Sequence, residues 1–185
     1  MTKLFLVRHG QAAAGYDSDL DPGLDEVGRA QAEAMAGALE PRGPLPMIVS
    51  PLRRTRETAA VLERRWGVTA RVDPVVGEIP SEESLAQRGE WLRRVLQGTW
   101  ADAAPALGSW RDSVVDALAA IGEQTAEDTV VVTHFVAINA AVGSATGDDR
   151  LVCFRPGNCS ITVLESSGGR LRVVELGEQA VTVVS

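Results

Sequence analysis

The sequence "LFLVRHG", residues 4–10, places four apolar residues directly before an arginine, a histidine and a glycine. Such a run predicts a short buried strand over residues 3–8. The pattern recurs in "DTVVVTH", residues 128–134, and the chain holds only these two histidines, His9 and His134. In open α/β sheets, ligands bind beyond the carboxyl ends of the strands. If the two strands are parallel and close neighbours, we expect both imidazoles at one cleft.

Helical and strand patterns alternate along the rest of the chain. Apolar residues recur at helical spacing from Leu24, and Ser81 has the residue type and following acidic residues of a helix N-cap. Further helices are predicted at residues 53–66, over 109–121 and directly after His134, and further strands at 47–50 and within 68–76. The sequence closes with "CSITVLE" and "RLRVVEL" joined by "SSGG", which predicts a hairpin. This order predicts an α/β fold with a largely parallel sheet and an antiparallel edge.

Length and composition restrict the class of protein. The 185 residues contain no clear linker, so we expect one domain spanning 1–185. A net charge of −7 argues against general binding to nucleic acid or membrane surfaces. Cys153 and Cys159 show no metal-binding spacing and are interpreted as free thiols in a reducing compartment. With neither a signal peptide nor a long apolar segment, we expect a soluble, cytoplasmic protein.

A cluster of arginines follows the second predicted strand. "SPLRRTRETA", residues 50–59, opens a helix with Arg53, Arg54 and Arg56. Three cations in a first turn oppose the helix dipole, and a bound anion would explain them. An exposed basic turn, paired with Glu57 and Glu63, explains them equally well. The charge pattern alone leaves both interpretations open.

Imidazoles, guanidiniums and helix N-termini at one cleft would suit phosphate. Guanidinium groups bind phosphate oxygens with two parallel hydrogen bonds. The sequence has neither a dinucleotide fingerprint nor a nucleotide-binding P-loop, and we expect no cofactor. Two histidines flanked by arginines would also make a poor metal site, because the arginines would repel the cation.

Six motifs together resemble the histidine phosphatase superfamily, in its phosphoglycerate-mutase-like branch. They are, in the family's order, "LVRHG", "LDEVGRAQA", "SPLRRTRETA", "EIP", "VVVTH" and "NCSITVL", and they span nearly the whole chain. The resemblance implies a three-layer α/β sandwich with helices on both faces of the sheet. It also implies phosphoryl transfer through a phosphohistidine, without a metal.

The resemblance assigns roles to individual residues. His9 would be the nucleophile, with Arg8 and His134 binding the phosphoryl group. The family's phosphate-binding arginine lies four residues after the motif's serine, which from Ser50 gives Arg54. Arg53 would then lie at the variable, exposed position. Asn158 and Ser160 match a late strand that positions the fold.

The proton donor is the least constrained of these roles. Glu78 in "GEIP" matches the family's usual acid, but the sequence that often follows the acid is absent. Glu82, Glu83 and Asp73 remain alternatives. A carboxylic acid near the leaving oxygen contributes roughly 10²–10⁴-fold to such a reaction.

Departures from the family pattern bear on the substrate. "RHGQAAAGYD" lacks the residues typical of phosphoglycerate mutases, and "HFVAIN" replaces the glycines that often follow the second histidine. We therefore expect a phosphatase acting on a small phosphomonoester. Three alternatives remain: a phosphoprotein or phosphohistidine phosphatase, a phosphoglycerate-mutase-type phosphotransferase, and a catalytically weak phosphate-binding module.

The apolar residues of "HFVAIN" and the tryptophans Trp91, Trp100 and Trp110 suit a pocket wall or core packing. The sequence leaves the oligomeric state open.

Overall fold

A six-stranded mixed sheet forms the centre of the molecule. The computed structural model describes residues 1–180. Its strands are β1 (Thr2–Arg8), β2 (Met47–Val49), β3 (Arg71–Val72), β4 (Thr129–Thr133), β5 (Ile161–Ser167) and β6 (Arg170–Glu175). They lie in the order β3-β2-β4-β1-β5-β6. The first four in this order are parallel, and β5 and β6 form the antiparallel edge. The predicted fold class and the hairpin are confirmed.

Five helices cover the two faces of the sheet. They are α1 (Glu26–Leu39), α2 (Arg53–Trp66), α3 (Leu85–Val95), α4 (Pro105–Gln124) and α5 (Phe135–Thr146). Side chains alternate along β1: Phe5 and Val7 pack with residues of α1 and α2, whereas Leu4 and Leu6 pack with residues of α4 and α5. This period of two divides the core between the two faces and produces the three layers.

Two predicted helix starts are wrong. The helix predicted from Ser81 begins at Leu85, because the Ser81 hydroxyl accepts the Glu83 N–H (3.2 Å) in a local turn instead of capping a helix. The helix predicted over 109–121 begins at Pro105, where the fixed backbone angle of proline suits a first helical position. The third predicted strand is only two residues long, because Asp73 accepts the Val75 N–H and starts a 3₁₀ turn.

Two glycines let α1 pack against the loop that follows β1. A Cβ atom on Gly28 would lie 2.1 Å from the backbone oxygen of Gln11. A Cβ atom on Gly10 would lie 2.6 Å from the oxygen of Gly28. Asp25 caps the helix by accepting the Gly28 N–H at 2.7 Å. The first turn of α1 therefore fixes the backbone immediately after His9.

The described residues include no helix with the length and apolar character needed to cross a bilayer. Cys153 and Cys159 are both free thiols, and Cys159 is buried.

Candidate active site

Three parallel strands end at the candidate site. The His9 N–H donates to Thr133 O (3.0 Å), and the Ser50 N–H donates to Val132 O (3.1 Å). These bonds continue the ladder and hold His9, Ser50 and His134 at the same edge of the sheet. The two imidazole rings meet edge to face with their centroids 5.3 Å apart. Adjacent parallel strands thus bring the histidines together, as the sequence predicts.

His9 is held with one defined nitrogen towards the cleft. Its Nδ1 lies 2.8 Å from the carbonyl oxygen of Gly10, which can only accept, so Nδ1 carries the proton. Nε2 then keeps its lone pair and faces Arg54 Nε at 3.3 Å. Burial, with the charges of His134 and Arg54, lowers the pKa of His9 to about 3. The imidazole is therefore neutral near pH 7 and able to act as a nucleophile.

Arg54 is the one arginine of its cluster that enters the cleft. It is 6% exposed, and its Nη2 lies 3.1 Å from Glu78 Oε2 and 3.5 Å from His134 Nδ1. Arg53 instead pairs with Glu57 at the surface (2.7 Å), and Arg56 is exposed. The basic-turn interpretation therefore holds for Arg53, whereas Arg54 occupies the position that the family spacing indicates.

Glu78 lines the cleft from the loop after the 3₁₀ turn. Its Oε2 lies 3.3 Å from His134 Nδ1, and its side chain is 16% exposed. Burial alone raises the pKa of this carboxyl, but the positive charges of His134 and Arg54 outweigh that effect and hold the pKa well below its usual range. The group is therefore ionised in this arrangement.

The other candidate acids lie elsewhere. Asp73 caps the 3₁₀ turn and pairs with Arg71 (2.6 Å), and neither Glu82 nor Glu83 lines the cleft. Of the four carboxylates that the sequence left open, only Glu78 faces both histidines.

His134 is fully buried and fixed from behind by Ser50. Ser50 Oγ lies 2.7 Å from His134 Nε2, and Ser50 is also fully buried. This contact turns Nδ1 of His134 towards Glu78 and Arg54. Sequence reasoning used Ser50 only to count to Arg54 and missed this hydrogen bond. Its position at the end of a strand that neighbours β4 is the signal that could have revealed it.

Arg8 completes the cationic side of the cleft. Its Nη1 donates to Pro156 O (2.9 Å), and its guanidinium lies over the ring of Phe135, 5.2 Å from the centroid. Its buried Nε has no hydrogen-bond partner among residues 1–180. Since burying an unpaired donor is costly, this nitrogen suits an anionic ligand. Asn158 supports the same strand end by donating from Nδ2 to His9 O (3.0 Å).

A metal ion fits this cluster poorly. Ligand atoms of His9, Glu78 and His134 lie within 4.8 Å of one another, close enough to share an ion. Arg54, however, lies within hydrogen-bonding distance of all three side chains. Its permanent positive charge provides the cation that these groups face and opposes a second one.

The fold is a three-layer α/β sandwich with paired histidines and arginines at the ends of its parallel strands. Residues 4–179 match the family model of the histidine phosphatase superfamily, branch 1. The chain therefore belongs to the histidine phosphatase superfamily, and the resemblance seen in its motifs is confirmed.

Curated relatives include phosphatases and a mutase. Glucosyl-3-phosphoglycerate phosphatase of Mycobacterium tuberculosis is 36% identical over 114 residues, which cover 60% of this chain and 48% of the relative. The probable phosphoglycerate mutase GpmB of Yersinia pestis is 29% identical over 111 residues, covering 54% and 52%. The matched region of the chain spans about half the length of each of these curated relatives.

Solved structures share the fold over nearly the full chain. The mycobacterial glucosyl-3-phosphoglycerate phosphatase in complex with VO3 has a TM-score of 0.73 and 26% identity, covering 97% of this chain and 100% of that one. YhfR of Bacillus stearothermophilus has a TM-score of 0.79 and 21% identity, with 97% and 98% covered. The latter likeness concerns the fold alone.

Proposed function

We propose that this chain hydrolyses a phosphomonoester through a phosphohistidine formed on Nε2 of His9. The observation that carries the proposal is the state of His9: a neutral imidazole, held by the Gly10 carbonyl, with its free lone pair facing Arg54. Family membership and the phosphatases among the relatives support the reaction class.

In the first step, His9 displaces the leaving group. Arg8, Arg54 and His134 bind the phosphoryl oxygens. These new contacts replace the ones that Arg54 and His134 make with Glu78 in the free protein. Nε2 attacks phosphorus, a P–N bond forms and the P–O bond to the leaving group breaks. Phosphoryl transfer gains mainly from such positioning and charge stabilisation. The leaving oxygen takes its proton from Glu78.

Substrate binding itself prepares Glu78 to donate that proton. The charges of His134 and Arg54 keep this carboxyl ionised against the effect of burial. A bound phosphoryl dianion engages both groups and adds negative charge beside the carboxylate, so the pKa of Glu78 rises on binding and the carboxylate takes up a proton from solvent. In the second step, the resulting carboxylate accepts a proton from water, which attacks phosphorus and breaks the P–N bond. Inorganic phosphate and neutral His9 are the products.

We also propose that no metal or cofactor takes part, since Arg54 already supplies positive charge among His9, Glu78 and His134. The substrate is a small phosphorylated molecule. We further propose that the protein is cytoplasmic, because its two free thiols suit a reducing compartment.

Hydrolysis is favoured over mutase chemistry by the charges of the cleft. A phosphoglycerate mutase must also hold the carboxylate of its substrate. Beyond the phosphoryl group's own ligands, the described lining residues include one further cation, Arg155, and one acid, Asp19. Incubation with 3-phosphoglycerate is therefore expected to release inorganic phosphate without forming 2-phosphoglycerate.

Hydrolysis of phenyl phosphate, measured with and without EDTA, tests the proposal. We expect activity that EDTA leaves unchanged. His9→Ala lowers kcat by roughly 10³-fold or more because the nucleophile is lost. Arg54→Lys lowers it by about 10²-fold because one fixed donor pair is lost, whereas the surface variant Arg53→Lys keeps full activity. Wild-type rates in His9→Ala, or activity that EDTA abolishes and added metal restores, would contradict the proposal.

A further inference from the structure

The cleft extends well beyond the phosphoryl group's ligands. Its volume is about 710 Å³, the size of pockets that hold whole small molecules. One end carries Arg8, His9, Arg54 and Glu78. The outer part is lined mainly by apolar residues, among them residues 12–14, Leu20, Leu92, Leu96 and Phe135. This outer part is where the leaving group of a substrate would lie.

Most polar side chains of the outer part are already engaged within the protein. Gln11 Nε2 donates to Asp25 Oδ2 at 2.8 Å. The Tyr16 hydroxyl donates to Ile79 O (3.4 Å) and accepts from Arg88 Nη2 (3.2 Å). A leaving group with several hydroxyls would therefore lose its hydrogen bonds to water and find few replacements, at a cost in binding.

The charges of the outer part do not form a second anion site. Among the lining residues described, Asp19 and Arg155 are the only charged side chains outside the phosphoryl end. Both are exposed and of opposite sign, so they offer no net attraction to a carboxylate.

The apolar surface begins directly beside the phosphoryl end. Phe135 is the first residue of α5, and its ring lies beneath the guanidinium of Arg8. Phe135, Leu92 and Leu96 each pack against the same core cluster, which consists of Ile79, Trp100, Leu107, Val136, Ala140 and Leu151. Leu20 also lines the cleft and is 64% exposed. An apolar group attached to the ester oxygen would contact this surface from its first carbon atoms.

The loop after His9 and helix α3, which both line the outer part of the cleft, are packed against each other. The Arg88 guanidinium of α3 lies over the Tyr16 ring, 4.3 Å from its centroid. A Cβ atom on the neighbouring Gly89 would lie 2.8 Å from Asp17 Oδ2, so helix and loop are in close contact. The loop that follows His9 is thereby packed against α3, the helix that carries Leu92.

We propose that the substrate's leaving group is apolar: the chain acts on aryl or bulky alkyl phosphomonoesters in preference to phosphoglycerates and sugar phosphates. This inference rests on the proposed function and specifies the substrate class at the same site. It sets this chain apart from the relatives that are named for phosphoglycerate derivatives.

Hydrolysis of 1-naphthyl and phenyl phosphate provides the test, because the two leaving groups differ mainly in apolar size. Both esters form the same phosphohistidine, so kcat/KM reports the step that includes the leaving group. We expect kcat/KM to be about tenfold or more higher for 1-naphthyl phosphate, and both esters to exceed glucose 6-phosphate and 3-phosphoglycerate.

Three variants test which surface produces the preference for the larger aryl ester. Leu92→Asn removes apolar surface from the wall, and Leu20→Asn does so at an exposed position where folding is little affected. Both are expected to reduce the naphthyl-to-phenyl ratio severalfold. Leu85→Asn is the matched control, because Leu85 lies on α3 outside the cleft lining, and it should leave the ratio unchanged.

The outcomes separate this inference from the proposed function. Equal kcat/KM values for the two aryl esters, or faster turnover of a sugar phosphate, overturn the apolar preference even when His9 becomes phosphorylated. A ratio that Leu92→Asn and Leu20→Asn leave unchanged overturns the assigned surface. Failure of every ester to phosphorylate His9 defeats the proposed function instead.

Discussion

At the scale of single residues, the proposed mechanism requires Glu78 in two charge states. In the free protein, His134 and Arg54 offset the effect of burial and keep Glu78 ionised. The same two groups bind the phosphoryl oxygens in the proposed complex. Substrate and carboxylate therefore compete for the same positive charge, and this competition couples binding to protonation.

Glu78→Gln tests this coupling. A glutamine keeps the shape of the side chain but cannot donate a proton to the leaving oxygen. We expect kcat/KM to fall about 10²-fold for phenyl phosphate, and less than about tenfold for p-nitrophenyl phosphate, whose leaving group needs little protonation. Equal losses on both esters would contradict the assignment of Glu78 as the acid.

Single residues could be predicted where strand ends and motif spacing place them. His9 and His134 both follow apolar strands, and counting from Ser50 selects Arg54. The hydrogen bond from Ser50 to His134 and the stacking of Phe135 on Arg8 could not be predicted. Such contacts depend on how neighbouring strands and helices pack, which a local pattern does not contain.

At the scale of elements, α1 acts as a support for the candidate site. Its first turn lies so close to residues 10 and 11 that only glycine fits at position 28. The Gly10 carbonyl at this contact accepts the proton of His9 Nδ1. The motif "LDEVGRAQA" thus supports the site: it fixes the backbone that orients His9, the proposed nucleophile.

Gly28→Ala should disrupt that support. The new methyl group overlaps the Gln11 backbone oxygen, so we expect a loss of about 1–3 kcal/mol in the free energy of unfolding and a fall in kcat. Gly37→Ala in the same helix is the control, because the nearest atom to its Cβ is 3.7 Å away. The control should gain roughly 0.5–1 kcal/mol. Chemical denaturation of both variants, alongside their activity, checks this contrast; similar stabilities would refute it.

Elements were predictable in kind and order, and less so at their ends. The terminal hairpin follows from its alternating strands and "SSGG" turn, and the sheet confirms it. The start of α3 was missed because Ser81 has the residue type of a helix N-cap but forms a local turn, and the start of α4 was missed because that helix begins four residues earlier, at Pro105. For Trp91, Trp100 and Trp110 the sequence left a pocket wall and core packing open; all three belong to the core cluster around Trp100 or pack against it, and none lines the cleft, whereas Phe135 does.

At the scale of the whole molecule, the buried histidine makes stability depend on pH. The pKa of His9 is about 3 in the folded protein, and that of an unfolded histidine is about 6.5. As pH falls below 6.5, the unfolded state binds a proton that folded His9 does not. Stability attributable to His9 is therefore lost as pH falls from about 6.5 towards 3.

His9→Gln should remove this dependence. Between pH 7 and pH 5, we expect the free energy of unfolding of the wild type to fall about 2 kcal/mol further than that of the variant. Urea denaturation in phosphate-free buffers measures both slopes, and His134 is present in both proteins. Parallel slopes would mean that His9 titrates normally and is not held neutral by its surroundings.

The most direct measurement of the central claim is the site of the phosphoenzyme. The protein is mixed briefly with a 32P-labelled phosphomonoester and quenched, and the bound label is characterised in wild type, His9→Ala and His134→Ala. The account predicts an acid-labile, base-stable label on His9 in the wild type, none in His9→Ala, and a slower-forming label that is still on His9 in His134→Ala. Label that persists in His9→Ala and disappears in His134→Ala would contradict it.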